Sequence, residues 1–162
     1  MPDPEPGPAD ALAPVIRLRP IRTLVVTSDA AYRERALTVL SELGHVAFAD
    51  ASLAQPGDVA ILLQDERAGV VVLDATGREE DAQRVLVALA EAAPRTGVVV
   101  VCHHCTAAAR ELQALPKWGW TQDLRAGVEH AYREGNPLCP GGLRPLRRRS
   151  PWQRMAGPLL RR

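Results

Sequence analysis

Four apolar residues, Val70, Val71, Val72 and Leu73, run straight into a carboxylate, Asp74. A run that is apolar on both faces fits a central parallel strand, which helices cover from either side. It is too short for a buried helix. The chain then turns into Thr76-Gly77-Arg78-Glu79, where the threonine hydroxyl is placed to cap a helix and Glu79 to reach back to it. Asp74 therefore falls at the carboxyl end of a buried strand, the edge of an open α/β sheet where ligands and chemistry collect.

The same alternation runs through the middle of the chain. Thr23 to Val26 reads as a second buried strand, ending at Thr27-Ser28-Asp29, and Ala30 to Leu43 as a helix with Ala36, Leu37, Leu40 and Leu43 inward and Gly44 as its stop. A short strand around Val46 and Phe48 and a helix from Pro56 to Ala68 precede the central strand. After Asp74, Arg78 to Ala93 predicts a helix with Glu79, Glu80 and Asp81 in its first turn, as the helix dipole prefers, and Val85, Leu86 and Leu89 as its stripe. Val98 to Val101 is again apolar on both faces, followed by Cys102-His103-His104-Cys105 and a short helix from Thr106 to Leu115. Trp118 and Trp120 suggest a strand over 117–121, and Leu124, Val128 and Tyr132 a last helix over Asp123 to Arg133. Right-handed crossovers between five such units predict an α/β fold: a three-layer, doubly wound, five-stranded parallel sheet with helices on both faces. The common order 2-1-3-4-5 would bring Asp29 and Asp74 together at the switch point, with Cys102 close by.

Composition sets the borders. Residues 1–20 hold six prolines and offer little apolar surface, the mark of a disordered leader, although Val15 to Leu18 could add an edge strand. Residues 21–136 form the domain, and 137–162 a basic, Arg- and Pro-rich tail. The formal net charge of +1 hides this asymmetry: the last twenty residues carry seven arginines and no acid, which leaves −6 on residues 1–142. Three cysteines argue for a reducing compartment, and no apolar run approaches a membrane span, so the expected location is cytoplasmic.

Residues 22 to 134 resemble a receiver domain of the bacterial response-regulator family. The likeness is carried by Leu24-Val25-Val26 at the start, Ser41-Glu42-Leu43-Gly44-His45 closing the first helix, Asp74 after its apolar strand, and Leu124-Arg125-Ala126-Gly127-Val128-Glu129-His130-Ala131 in the last helix. The resemblance implies that Asp74 stands at the phosphoacceptor position. It also implies an acidic pair after strand one to hold Mg²⁺, a hydroxyl after strand four and a lysine after strand five. Thr27 and Ser28, both neutral, occupy the acidic-pair positions, with Asp29 one place later; Cys102 stands where the family has its switch hydroxyl. For the lysine, counting back from Leu124 selects Lys117, the only lysine in the chain, whereas counting forward from strand four selects Thr121 or Gln122. Two hydroxyls in place of two carboxylates remove most of the attraction for a hard cation. The expectation is a degenerate receiver, not an enzyme and without a cofactor, Mg²⁺ entering only if Asp74 is phosphorylated.

Other readings attach to particular residues. Cys102 and Cys105 have a zinc-ligand or redox spacing, but four adjacent residues cannot all face one tetrahedral ion, so no metal is expected. Thr27 and Ser28 could donate to a phosphate at a helix start, as in a nucleotide- or flavin-binding enzyme, yet no glycine-rich loop accompanies them. Arg147, Arg148, Arg149 and Arg154, with Trp152, suit nucleic acid or an acidic partner, so residues 143–162 could make the chain an adaptor. The leading expectation is a signalling module that works by protein contact, with a histidine kinase, an effector or a second copy of itself. The resemblance places its contact face on the fourth helix, fifth strand and fifth helix, where Trp118, Trp120 and Tyr132 are concentrated.

Overall fold

A computed structural model describes residues 19–50, 55–104 and 113–136. Five parallel strands, β1 (Thr23–Val26), β2 (Val46–Ala49), β3 (Val70–Asp74), β4 (Gly97–Cys102) and β5 (Leu115–Pro116), lie in the order β2-β1-β3-β4-β5. The helices are α1 (Ala30–Leu40), α2 (Pro56–Glu66), α3 (Glu79–Ala92) and α4 (Thr121–Glu134). The expected sheet order and layering are therefore present.

The period of two along each strand divides the core. Val25, Val70, Val72, Val99 and Val101 face α1 and α4, where they meet Tyr32, Ala36, Leu40, Leu124 and Val128. Their neighbours Leu24, Val26, Val71, Leu73, Val98 and Val100 face α2 and α3, against Val59, Leu63, Val85, Leu86 and Leu89. Each fully buried Val or Leu contributes about 1.5–3 kcal/mol, and only a chain apolar at every strand position can supply both layers. The first helix departs in detail from the expected stripe: Tyr32 and Val39 are buried and Leu37 is exposed. Close helix-to-sheet packing needs Gly97, where a Cβ would fall 2.2 Å from the Ala131 carbonyl oxygen.

Four expectations are corrected. The fifth strand lies at Leu115–Pro116, not over 117–121, because Trp118 turns away to pack edge-on against Tyr32 (5.8 Å, 88°) and the Gly119 carbonyl accepts from Arg35. The Thr76–Glu79 capping box does not form: the N-cap of α3 is Arg78, which makes no side-chain capping bond to the helix amides, and the Thr76 hydroxyl is drawn to Asp74. The first helix stops at Leu40, three residues early. The expected edge strand at Val15–Leu18, residues 106–112 of the helix expected over Thr106 to Leu115, Cys105, Cys139 and the basic tail with Arg147, Arg148, Arg149 and Arg154 lie outside the described residues, and the expected end of that helix is corrected: Leu115 opens β5. Among the described residues no helix is long and apolar enough to cross a membrane.

Candidate functional site

Asp74 ends β3 in the middle of the sheet, between the ends of β1 and β4. Its side chain is only 6% exposed, and both of its oxygens are engaged. Oδ1 accepts from the Thr76 backbone N–H at 3.1 Å and from the Thr76 hydroxyl at 2.7 Å. Oδ2 accepts from the Thr27 hydroxyl at 2.7 Å and from the Lys117 ammonium at 2.7 Å. A carboxylate offers about four acceptor sites, and here the polypeptide itself fills them.

Lys117 follows β5 directly, and its N–H donates to the Cys102 carbonyl at 2.9 Å, which fixes where its side chain enters the sheet edge. The ammonium also bonds Asp29 Oδ2 at 2.8 Å and lies 5.3 Å from the Tyr32 ring centre and 5.6 Å from that of Trp118. Asp29 is at the same time the N-cap of α1, accepting from the Ala31 and Tyr32 amides at 3.0 and 3.1 Å through its other oxygen. Its own N–H donates to Thr27 Oγ1 at 3.1 Å. Asp29, Thr27, Asp74 and Lys117 thus form a closed ring of hydrogen bonds joining the ends of β1, β3 and β5. β4 is tied in through the His103 N–H, which donates to Thr76 Oγ1 at 3.1 Å.

The electrostatics follow from this ring. Burial disfavours the Asp74 carboxylate, but the bonds from Lys117, Thr76 and Thr27 outweigh it and hold the group below the usual aspartate range. Lys117 lowers Asp29 first of all, with help from the Tyr32 amide. Burial works against the Lys117 charge, yet its bonds to Asp29 and Asp74 win and raise it. Tyr32 is raised by burial and by the Asp74 charge, and its buried hydroxyl has no hydrogen-bond partner among the described residues. A buried donor without a partner costs about 1–3 kcal/mol, so Tyr32→Phe is expected to leave stability unchanged or raise it by about 1 kcal/mol. Equilibrium urea unfolding checks this, and a clear loss would mean that the hydroxyl is held by a bound water.

Of Lys117, Thr121 and Gln122, Lys117 is the residue that bonds Asp74, and Asp29 and Thr27 lie in the same ring of contacts. Ser28 is exposed beside them. Cys102 is buried, with its thiol donating to the His103 carbonyl at 3.5 Å. Trp118 and Trp120, 41% and 81% exposed, precede α4, whereas Tyr132 lies at its far end beside Gly69, so the three aromatics do not make one patch. Sequence reasoning gave Thr76 only a helix-capping part and gave Tyr32 none. The only available signal was Thr76 two residues beyond Asp74, the spacing at which a short side chain folds back on a strand-end carboxylate.

A divalent ion of the kind that the fold family uses does not fit this donor set. Thr27 and Ser28 bring no charge, Asp29 is divided between helix amides and an ammonium, and every Asp74 acceptor position is taken. Among the described residues no group of three His, Cys, Asp or Glu side chains could hold a metal ion.

No protein-family model matches the chain and no curated protein does at a significant level, but solved receiver domains match its fold. The signal receiver domain of a putative LuxO repressor protein from Vibrio parahaemolyticus is 16% identical, with a TM-score of 0.57 over 72% of this chain and 92% of that one. A CheY-like protein, TadZ, from Pseudomonas aeruginosa is 17% identical, with a TM-score of 0.58 over 68% and 98% of the two chains. The receiver domain of an HD domain-containing protein from Pseudomonas fluorescens is 18% identical, with a TM-score of 0.57 over 71% and 96%. The fold of the described residues, 19–50, 55–104 and 113–136, is that of a CheY-like signal receiver domain.

Proposed function

We propose that this chain is a receiver-like signal-transduction module that acts by protein contact, without Mg²⁺-dependent phosphorylation of Asp74. The observation that carries the reading is the saturation of Asp74. A nucleophilic carboxylate needs a free oxygen and a cation to neutralise the charge of the transferred phosphoryl group. Here the Lys117 ammonium and the Thr27 hydroxyl both hydrogen-bond Asp74 Oδ2, and the carboxylates that would supply a cation site beside it are replaced by Thr27 and Ser28. The working surface is then the one around the ring, and Trp120, 81% exposed on the loop before α4, is the kind of residue that anchors a protein partner. A histidine kinase or a downstream effector is the partner class that the fold favours.

The reading is tested by incubating the protein with Mg²⁺ and acetyl phosphate, or with beryllofluoride, and weighing it intact. No adduct and no change in melting temperature are expected. An adduct that appears with Mg²⁺ and disappears in Asp74→Asn would overturn the proposal.

A further inference from the structure

The turn that follows β5 is held from one side by α1. It is closed on itself by the Gly119 N–H, which donates to the Pro116 carbonyl at 3.0 Å. Beyond that, each of its last three residues is met by a different residue at the start of α1. Lys117 bonds Asp29, the N-cap of that helix, at 2.8 Å. The Trp118 ring packs edge-on against Tyr32, with ring centres 5.8 Å apart. The Gly119 carbonyl accepts from the Arg35 guanidinium, whose central carbon also lies 5.8 Å from the centre of the Trp118 ring. Asp29, Tyr32 and Arg35 follow one another at intervals of three residues, the spacing that lines up side chains along one face of a helix. One stripe of α1 thus grips Lys117, Trp118 and Gly119 in order.

Trp120 is the first residue beyond this grip, and it is 81% exposed. Its backbone, however, is held. The Trp120 carbonyl accepts from the Asp123 N–H at 3.1 Å and opens α4. A little over one turn further on, the Arg125 guanidinium bonds Glu42, just past the end of α1. Trp120 therefore sits between two anchors, Gly119 and Arg125, that both lead back to the same helix. An indole carried in this way has given up its backbone freedom before any contact is made, and the cost of ordering that loop is then absent from binding.

We propose that α1 is a splint for this turn: its stripe of Asp29, Tyr32 and Arg35 fixes the backbone of Gly119 and Trp120, so that the Trp120 indole is presented to a partner already in position, with Arg35 as the positioning residue. The three grips differ in kind. Asp29 and Lys117 belong to the ring around Asp74 and hold the buried inner end of the turn. Tyr32 and Trp118 meet through their rings. Arg35 bonds the main chain directly, at the residue before Trp120. Its removal therefore loosens Trp120 while the ring around Asp74 stays closed. That Trp120 meets a partner rests on the reading above; that it is fixed beforehand does not, and the two are measured separately.

Amide nitrogen relaxation, measured by NMR on the full chain, tests the proposal. Order parameters of a rigid backbone lie at about 0.85 and those of a flexible one below about 0.6. In the unmodified protein Gly119 and Trp120 are expected at the rigid value. Arg35→Met keeps the stem beside Trp118 and removes the donors, so it should bring both residues into the flexible range while Asp74, Thr76 and Lys117 keep their order. Arg35→Lys restores a cation and a donor to the Gly119 carbonyl and should return both to the rigid value. Flexible values at Gly119 and Trp120 in the unmodified protein, no change in Arg35→Met, a loss of order spread evenly over the chain, or no recovery in Arg35→Lys would each overturn the proposal.

Discussion

Lys117→Met is expected to lower the free energy of unfolding by about 3–5 kcal/mol, the cost of leaving a buried charge without its partner. The ammonium and Asp74 are 5% and 6% exposed, so neither can turn to water when the other is removed. Methionine keeps the stem's packing against Tyr32 and Trp118 and removes only the charge and its bonds, which isolates the electrostatic part of the loss. Asp29 would lose least, being 33% exposed and still held by the amides of α1. Urea denaturation measures the effect. A loss below about 1 kcal/mol would show that the pair behaves like one in solvent.

The second large effect is on the pH dependence of stability. Asp29 and Asp74 are both lowered from the ordinary aspartate value of 3.8, so the folded state binds fewer protons than the unfolded chain as pH falls toward that value. Their stabilisation is complete above 3.8 and is lost as pH falls through their folded values. Lys117 is raised from 10.5, so its share is complete below that pH and is lost as pH rises through its folded value. The ring should therefore give a plateau of stability across neutral pH with a steep acid limb and a separate alkaline one. In Lys117→Met the acid limb should flatten, because burial is then opposed only by the threonine bonds. Melting temperatures across the pH range check both statements; an unchanged acid limb in the variant would show that other carboxylates control it.

What the residues disclosed in advance depended on how many constraints each stretch carried. Val70–Asp74 and Val98–Val101 are apolar on both faces, and only a central strand satisfies that, so the sheet and its order were legible. The fifth strand was not. Trp118 and Trp120 have strand propensity, but their rings are used for contact with α1 and for the surface, and the strand that exists consists of a leucine and a proline. The position of Lys117 could be settled only after that strand was located, because its reach to Asp74 depends on leaving the sheet immediately after Pro116. Thr27 shows a different limit. Its lack of charge was visible and pointed away from a metal, but that its hydroxyl donates to Asp74 depends on the pairing of β1 with β3, which no local pattern contains.

The single lysine of the sequence is interior, and that makes it a natural gauge of opening. An amine-directed reagent or a lysine-specific protease can act at residue 117 only when the loop before α4 lifts from the sheet. The rate of reaction at residue 117 would report how often those excursions occur.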